Sequence, residues 1–245
     1  MNFVSKRPRL KSRAFFFAFS SRIATINQKE TSVKTSLQDF DKKMALDLQT
    51  PTLFGIDEAG RGPLAGPVVA CACFIPSNMY SYFEDVNDSK KLTAQKRDKI
   101  FEKINQLGIL YGVGFASAEE IDRYNILQAT FLAMRRAAQK FHNLYKSVAL
   151  VDGNHLIKDF PLPQQAVIDG DAKSLNIAAA SIIAKVIRDR YMDTLEKLYP
   201  GYGFAAHKGY GTPKHIAAVR ELGPCKEHRK TFAPIRDFFA PTLFP

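Results

Sequence analysis

The sequence is poor in cysteine, contains no tryptophan and has no long uninterrupted hydrophobic run. Its three cysteines, Cys71, Cys73 and Cys225, are an odd number without paired spacing. This pattern excludes a disulfide framework and favours a reducing compartment. No stretch approaches the roughly 18 consecutive apolar residues of a membrane span, so we expect a cytoplasmic protein that does not enter a membrane. The apolar share of 46% in 245 residues is still enough for a buried core.

Acidic residues are the scarcer charge, with 24 against 35 basic residues, and they are scarcest near the N-terminus. The first 29 residues carry seven basic side chains and no acidic one. Residues 1–52 hold more than half of the net charge of +11. Such an excess is typical of proteins with a polyanionic partner, and nucleic acid is the first candidate.

Residues 1–52 show no sustained periodicity, and the aromatic run at residues 15–19 is too short for a secretory signal. We interpret residues 1–52 as a basic extension without stable structure. Two other interpretations remain open, namely an organelle-targeting segment and a natural chain that starts at Met44. Residues 53–245 are interpreted as one folded domain that ends in a small helical region.

Strand and helix patterns alternate from Leu53 onward, which predicts a mixed α/β sheet with flanking helices. Apolar runs predict strands at 53–56, 68–75, 109–116, 148–151 and 166–168. Helical spacing predicts helices at 93–107, 126–141, 176–199 and near 214–222. Ser117 and Glu120 have the spacing of a capping box and predict the start of a short helix.

Acidic residues follow three of the predicted strands. Asp57 and Glu58 come directly after the first strand, Asp152 ends the fourth, and Asp171 follows the fifth. Carboxylates at the ends of buried strands are costly unless they are paired or hydrogen-bonded. Hard oxygen donors are also the ligands that Mg²⁺ and Mn²⁺ prefer. Any one of these aspartates has a plain alternative as a turn residue, since Asp-Gly is a common turn.

The residues around these acids resemble the motifs of ribonuclease HII, the type 2 ribonuclease H. The resemblance opens at residues 56–68, IDEAGRGPLAGPV, and continues through DSKKL at 88–92 and DGN at 152–154. It goes on through GD at 170–171 and AAASIIAKVIRD at 178–189. HKGYGT at 207–212 and HRKTF at 228–232 complete it. The tripeptide Gly60-Arg61-Gly62 favours type HII over the related type HIII.

The resemblance implies a ribonuclease H-like fold and an endoribonuclease that acts on RNA–DNA hybrids and on ribonucleotides embedded in duplex DNA. Such an enzyme cuts on the 5′ side of the ribonucleotide and leaves a 3′-hydroxyl and a 5′-phosphate. It implies two Mg²⁺ or Mn²⁺ ions held by four catalytic carboxylates, namely Asp57, Glu58, Asp152 and Asp171. We further expect a monomer that serves ribonucleotide excision, DNA repair and replication.

The same resemblance implies roles in substrate binding. The backbone of Gly60, Arg61 and Gly62 would recognise the ribose 2′-hydroxyl, and Tyr210 would pack on the following deoxyribose. Ser89 and Lys90 suit a phosphate contact, and a solvated loop is the alternative. Lys185 and Arg188 share one helix face, where they would contact substrate or form surface ion pairs. His207, His215 and His228 lack metal-ligand spacing and are interpreted as structural or phosphate-facing.

Two other classes of function remain open at this point. The first is a nucleic-acid-binding module without catalysis, which the costly cluster of carboxylates disfavours. The second is a metal-dependent nuclease with a broader specificity for DNA.

Overall fold

Five strands form one mixed sheet in the order β3-β2-β1-β4-β5. The computed structural model describes residues 36–86, 89 and 92–239. Strand β1 runs parallel to β4, and β4 runs parallel to β5, whereas β2 is antiparallel to both β1 and β3. The strands are β1 (Thr52–Ala59), β2 (Val68–Phe74), β3 (Leu110–Ala116), β4 (Ser147–Asp152) and β5 (Gln164–Val167).

Seven α-helices are seen in the described ranges, and none is long and apolar enough to cross a membrane. Short 3₁₀ segments occur at residues 77–83, 138–141, 170–172 and 235–239. Ser117 and Glu120 form the predicted capping box at the start of α3. The helices are α1 (Leu37–Asp47), α2 (Ala94–Gln106), α3 (Ala118–Tyr124), α4 (Ile126–Ala137), α5 (Leu175–Leu198), α6 (Phe204–His207) and α7 (Pro213–Leu222).

Helices cover both faces of the sheet, so the central strands are buried on two sides and have almost continuous apolar sequences. Helix α4 packs against Ile56 and other residues on one face, and α5 packs on the other face with α2 beside it. Gly55 allows α5 to approach β1 closely, because a Cβ atom there would lie 2.2 Å from the backbone nitrogen of Ile177. This close contact brings the side chains of α5 to the end of β1.

Helix α1 corrects the prediction that residues 1–52 lack stable structure. Phe40, Met44 and Leu48, spaced four residues apart, pack on a core cluster that includes Leu53. Asp41 lies on the same helix, is fully buried, and accepts hydrogen bonds from the backbone and side-chain amides of Asn176 at 2.9 and 2.8 Å. The prediction overlooked this short amphipathic pattern; residues 1–35 lie outside the described part of the chain.

The end of β1 also differs from the prediction. The ladder with β2 continues through Asp57↔Cys71 to Ala59↔Val69, so Asp57 and Glu58 lie inside the strand and not after it. Asp152 is the last residue of β4, as predicted. Asp171 lies in a 3₁₀ turn that follows β5, because the chain turns back at Gly170 before helix α5 begins.

Candidate active site

A pocket of about 300 Å³ opens at the end of β1. Three of the four predicted catalytic carboxylates, Asp57, Glu58 and Asp152, line it. The register of the sheet explains two of them: Ile56 on β1 is paired with Val151 on the parallel strand β4. The next residues, Asp57 and Asp152, therefore lie side by side and point to the same face of the sheet. The remaining lining residues are Ala59, Gly60, Arg61, Gly62, Ser89, Arg97, Ser181, Lys185 and Tyr210.

Asp57 is the most buried carboxylate of the pocket, with only 5% of its surface exposed. Burial raises its pKa well above the usual value, and the charges of Glu58 and Asp152 act in the same direction. The hydroxyl of Ser181 and the backbone N–H of Glu58, which is 2.7 Å from Asp57 Oδ1, stabilise the ionised form. Burial and the neighbouring charges of Glu58 and Asp152 therefore disfavour the ionised form of Asp57 despite these two hydrogen bonds.

Glu58 reaches the same pocket from the opposite face of β1. Adjacent residues of a strand point to opposite faces, so the sequence required a bend for Asp57 and Glu58 to act together. The structure meets this requirement differently, because the pocket lies at the end of the strand, where both faces are accessible. The Glu58 Oε1 atom is 3.4 Å from Nη1 of Arg61, which is half exposed.

Asp171 is buried but is not among the residues that line this pocket. It directly follows Gly170, whose N–H donates a 2.7 Å hydrogen bond to Asp152 Oδ1. This hydrogen bond to Asp152 thus holds the backbone next to Asp171 beside the pocket. Whether Asp171 completes the four-carboxylate set stays a prediction.

The carboxylates fit a hard divalent cation by their chemistry. Asp57, Glu58 and Asp152 supply only oxygen donors, and the repulsion that raises the pKa of Asp57 is what a cation would relieve. Within the described ranges, no three His, Cys, Asp or Glu side chains form a ready-made metal cluster.

A short hydroxyl chain joins helix α5 to the carboxylates. The Oγ atoms of Ser89 and Ser181 are 2.8 Å apart, and Ser181 bonds to Asp57. Because a serine hydroxyl donates only one hydrogen, Ser181 donates to Asp57 and accepts from Ser89. Ser89 is thus buried and engaged inside the protein. Its predicted neighbour in phosphate binding, Lys90, lies outside the described residues.

Two basic side chains line the pocket together with the carboxylates. Lys185 on α5 lines the pocket, as predicted, and its Nζ atom lies 2.8 Å from Oδ1 of Asp189 one turn later. Arg97 on α2 also lines the pocket, and its Nη1 atom donates to the carbonyl oxygen of Ser89 at 3.0 Å. Both cations are only partly buried, which leaves them accessible to an anionic group.

The prediction for Arg188 was wrong. Its side chain is 1% exposed and makes neither a substrate-facing contact nor a surface ion pair in the described chain. Its guanidinium donates to the carbonyl oxygens of Pro67 at 3.0 Å, Lys208 at 3.0 Å and Ala65 at 3.3 Å. Lys185 and Arg188 are three residues apart on α5. The loop that follows β1 covers the helix at Arg188. Helical spacing alone does not show where such a cover lies.

Tyr210 stands at the rim of the pocket opposite Gly62 and is 46% exposed. Three histidines fix the backbone behind it. His215 Nδ1 lies 2.9 Å from the carbonyl oxygen of Tyr210, and the Nε2 atoms of His215 and His228 are 3.1 Å apart. The N–H of Cys225 donates to His228 Nδ1 at 3.0 Å.

These contacts assign a neutral tautomer to each ring. His228 accepts at Nδ1 and so donates from Nε2 to His215, which in turn donates from Nδ1 to Tyr210. Burial lowers the pKa of both rings, that of His228 to about 4. The structural interpretation of His215 and His228 is therefore confirmed. His207 stacks on His215 with ring centroids 4.3 Å apart.

Sequence reasoning did not assign Ser181, Arg97 or Arg229 to this site. Ser181 had a signal, because it is the one polar residue in the apolar run from Ala178 to Ile183. Arg97 had none, since an arginine in a polar segment is ordinarily exposed, and Arg229 belongs to the HRKTF motif at 228–232 but was given no role there. Arg229 is nevertheless fully buried beneath the loop of residues 60–67.

Comparison with known proteins places these features in context. The family model of ribonuclease HII matches residues 54–235. The ribonuclease HII of Syntrophotalea carbinolica is 51% identical over 184 residues, which are 75% of this chain and 86% of that protein. The ribonuclease HII of Xylella fastidiosa strain M23 is 47% identical over 203 residues, 82% of this chain and 86% of that protein.

A solved structure shares the fold as well. The ribonuclease H2 of Pyrococcus horikoshii OT3 superposes with a TM-score of 0.60 at 29% sequence identity. The match covers 76% of this chain and 96% of that one.

Proposed function

Because the chain belongs to the ribonuclease HII family and is thus a metal-dependent ribonuclease H of RNA–DNA hybrids, we propose that it also nicks duplex DNA at embedded ribonucleotides. The cut falls on the 5′ side of the ribonucleotide and leaves a 3′-hydroxyl and a 5′-phosphate. The observation that carries this proposal is the shared pocket of the carboxylates Asp57, Glu58 and Asp152 with the Gly60-Arg61-Gly62 backbone and Tyr210.

Asp57, Glu58, Asp152 and Asp171 are proposed to hold Mg²⁺ or Mn²⁺. When two such ions are bound, they supply an activated water and stabilise the leaving oxygen of a phosphodiester. The protein's own contribution is to hold the carboxylates in place. The Ser89–Ser181–Asp57 hydroxyl chain and the Gly170 N–H on Asp152 do this in the structure.

The opposite wall of the pocket is proposed to recognise the junction between ribose and deoxyribose. Backbone N–H groups of Gly60, Arg61 and Gly62 can approach a 2′-hydroxyl closely, because the two glycines carry no side chain. Tyr210 offers an exposed ring for the next sugar. Arg61 and Lys185 also line the pocket and are proposed to meet the phosphates on either side. Ser89 is proposed to act through Ser181, and the monomeric state, the cytoplasmic location and the roles in repair and replication stay predictions.

The test compares three duplexes that differ only in sugar content. They contain one ribonucleotide, a full RNA strand, or DNA alone, each incubated with Mg²⁺, Mn²⁺ or EDTA. We expect the first two to be cut with either ion, a 5′-phosphate to appear at the ribonucleotide, and EDTA to stop cleavage. Cleavage of the all-DNA duplex at a similar rate would support a nuclease of broad specificity instead.

The variant Asp57→Asn separates an enzyme from a binding module. It keeps the shape of the side chain and removes its negative charge, so cleavage should fall by at least about 10³-fold while duplex affinity is kept. An unchanged cleavage rate in Asp57→Asn would overturn the assignment of the active site.

A further inference from the structure

Two arginines are fully buried beside the pocket, and every hydrogen bond seen for their guanidinium groups within the described chain goes to a backbone carbonyl. Arg188 and Arg229 are 1% and 0% exposed. Burial lowers the pKa of both, and the charge of Arg188 helps to lower that of Arg229 to about 9. Two like charges in one buried place are costly to maintain. Both arginines contact the same loop, residues 60–67.

Arg229 engages the part of this loop that faces the pocket. Its Nη2 atom donates to the carbonyl oxygens of Gly60 at 2.5 Å and Gly66 at 2.9 Å. Its Nη1 atom donates to the carbonyl oxygen of Arg61 at 2.7 Å, and its Nε atom donates to Gly66 at 3.1 Å. Arg188 holds the far end of the same loop through the carbonyls of Ala65 and Pro67.

Because the peptide bond is planar, these contacts also determine where the N–H groups of the next residues point. In a trans peptide the C=O of one residue and the N–H of the next point in opposite directions. The carbonyls of Gly60 and Arg61 point down to Arg229, so the N–H groups of Arg61 and Gly62 point away from it. Arg61 and Gly62 line the pocket and Arg229 does not, so we infer that the pocket lies on the side of the loop away from Arg229.

We propose that Arg229, supported by Arg188, is a positioning residue that aims the N–H groups of Arg61 and Gly62 at the pocket as a pair of donors. This inference rests on the proposed function, in which those donors recognise a ribose 2′-hydroxyl. The preference for a ribonucleotide over a deoxyribonucleotide then depends on a side chain that never touches the substrate. A planar fork is required, because one ammonium group cannot bind three carbonyls in the geometry that the guanidinium provides.

A second set of contacts holds the backbone that carries Arg229. The Asp122 carboxylate on α3 accepts from the N–H groups of Lys230 and Thr231, both at 2.9 Å, and from the Thr231 hydroxyl at 2.7 Å. The guanidinium of Arg229 also lies 5.0 Å from the ring centroid of Phe232. Asp122 therefore offers a way to disturb Arg229 without changing a buried charge.

The decisive experiment is Arg229→Lys in the full chain. Dissociation constants are measured for a duplex with one ribonucleotide and for the matched all-DNA duplex, with Ca²⁺ in place of a catalytic ion. Nicking kinetics are measured in Mg²⁺, and Mn²⁺ affinity is measured by calorimetry. We expect kcat/KM to fall about 100-fold, as for a misplaced binding group, and the affinity ratio of the two duplexes to approach one. Mn²⁺ affinity and binding of the all-DNA duplex should stay within about twofold of the wild type.

Arg236→Lys and Arg190→Lys are the matched controls. They make the same chemical change at exposed arginines, one near the C-terminal end of the described chain and one on α5, and should leave the affinity ratio unchanged. Wild-type discrimination in a folded Arg229→Lys protein would overturn the inference. Equal loss of Mn²⁺ affinity and of all-DNA binding would overturn it too, because it would show a general structural defect.

If Arg229→Lys does not fold, Asp122→Asn replaces it. This variant weakens the hold on residues 230–231 from the surface, and we expect a folded protein whose affinity ratio falls by about threefold to tenfold. A folded Asp122→Asn protein with an unchanged ratio would then contradict the inference. A wrong proposed function would give a different result. The wild type itself would then bind the ribonucleotide duplex no more tightly than the all-DNA duplex.

Discussion

The two walls of the active-site pocket are built in different ways. The acidic wall consists of strand ends, and its carboxylates are placed by the ladder that pairs Ile56 with Val151. The opposite wall is the loop of residues 60–67, which is held by side chains far away in the sequence. The contact between Arg229 and Gly60 spans 169 residues. A sheet edge is specified by many equivalent hydrogen bonds, whereas the loop depends on a few individual ones, so single substitutions should affect the two walls unequally.

The largest loss of stability is expected for Gly60→Ala, a substitution in the loop wall of the pocket. Gly60 has a φ of +96°, and a Cβ atom there would lie 2.0 Å from Nε of Arg188 and 2.8 Å from the carbonyl oxygen of Pro67. We expect a loss of about 3 kcal/mol in the free energy of unfolding, measured by urea denaturation, together with a large loss of nicking activity.

The matched control is Gly62→Ala in the same loop. Among the described residues, the one atom within 4 Å of a Cβ atom at this position is Cε1 of Tyr210 at 3.7 Å, and φ is not in the left-handed region. Stability should change by less than about 0.5 kcal/mol. Equal destabilisation by both substitutions would contradict the view that Gly60 has no room for a Cβ atom beside Arg188 and Pro67.

The second prediction concerns acid pH and the histidines behind Tyr210. The pKa of His228 is lowered to about 4 in the folded protein from an ordinary value of 6.5. The unfolded chain therefore binds an extra proton between these values, and the folded state loses stability as pH falls from 6.5 towards 4. At about 1.4 kcal/mol for each pKa unit, the loss from His228 is on the order of 3 kcal/mol.

His228→Asn removes this titration, and when it is made in an Asp41→Asn background it should flatten the pH dependence of the unfolding free energy between pH 6.5 and 4.5. Asp41 acts in the opposite direction over part of this range. Burial raises its pKa from 3.8 to about 6, so its contribution to stability is lost as pH rises from about 4 to 6. The double variant His228→Asn/Asp41→Asn controls for that opposing slope. A wild-type profile in His228→Asn would contradict the assignment of a neutral buried ring.

The third prediction tests the rim of the pocket. Tyr210→Ala removes an exposed ring, so the fold should tolerate it, while cleavage at a single ribonucleotide should fall about tenfold. Mn²⁺ affinity should not change, because Tyr210 belongs to the opposite wall from the carboxylates. A parallel loss of Mn²⁺ affinity, measured by calorimetry, would show that Tyr210 has been given the wrong role.

The smallest change in stability is expected on the acidic wall, and it has the opposite sign. Asp57→Asn replaces a buried carboxyl group, whose ionised form is disfavoured by burial and by the charges of Glu58 and Asp152, with a neutral amide. In EDTA at pH 7 we expect the unfolding free energy to rise by about 1 kcal/mol, even though cleavage is lost. Thermal unfolding with and without Mn²⁺ tests this, since added Mn²⁺ should stabilise the wild type more than the variant. A destabilised variant in EDTA would mean that hydrogen bonds at Asp57 outweigh the repulsion.

Local patterns in the sequence predicted most of the fold correctly. The capping box of Ser117 and Glu120 is confirmed, because both partners lie within one turn of chain. The five strands were found within a few residues, although the ladder with β2 carries β1 beyond its apolar run and through Asp57 and Glu58. Helix α1 was missed, because a short amphipathic helix is stable only where a core such as that around Leu53 receives it.

The sequence by itself determined the family and the acidic wall. Strand-end carboxylates and a Gly-Arg-Gly turn are local features that can be recognised before any fold is known. Only the tertiary structure decided what Arg188, Arg229, Asp41 and His228 do. Each is a polar residue of ordinary appearance whose role depends on burial and on partners more than ten residues away. Burial is a property of the assembled chain, because the layer that removes a side chain from water comes from a different part of the sequence.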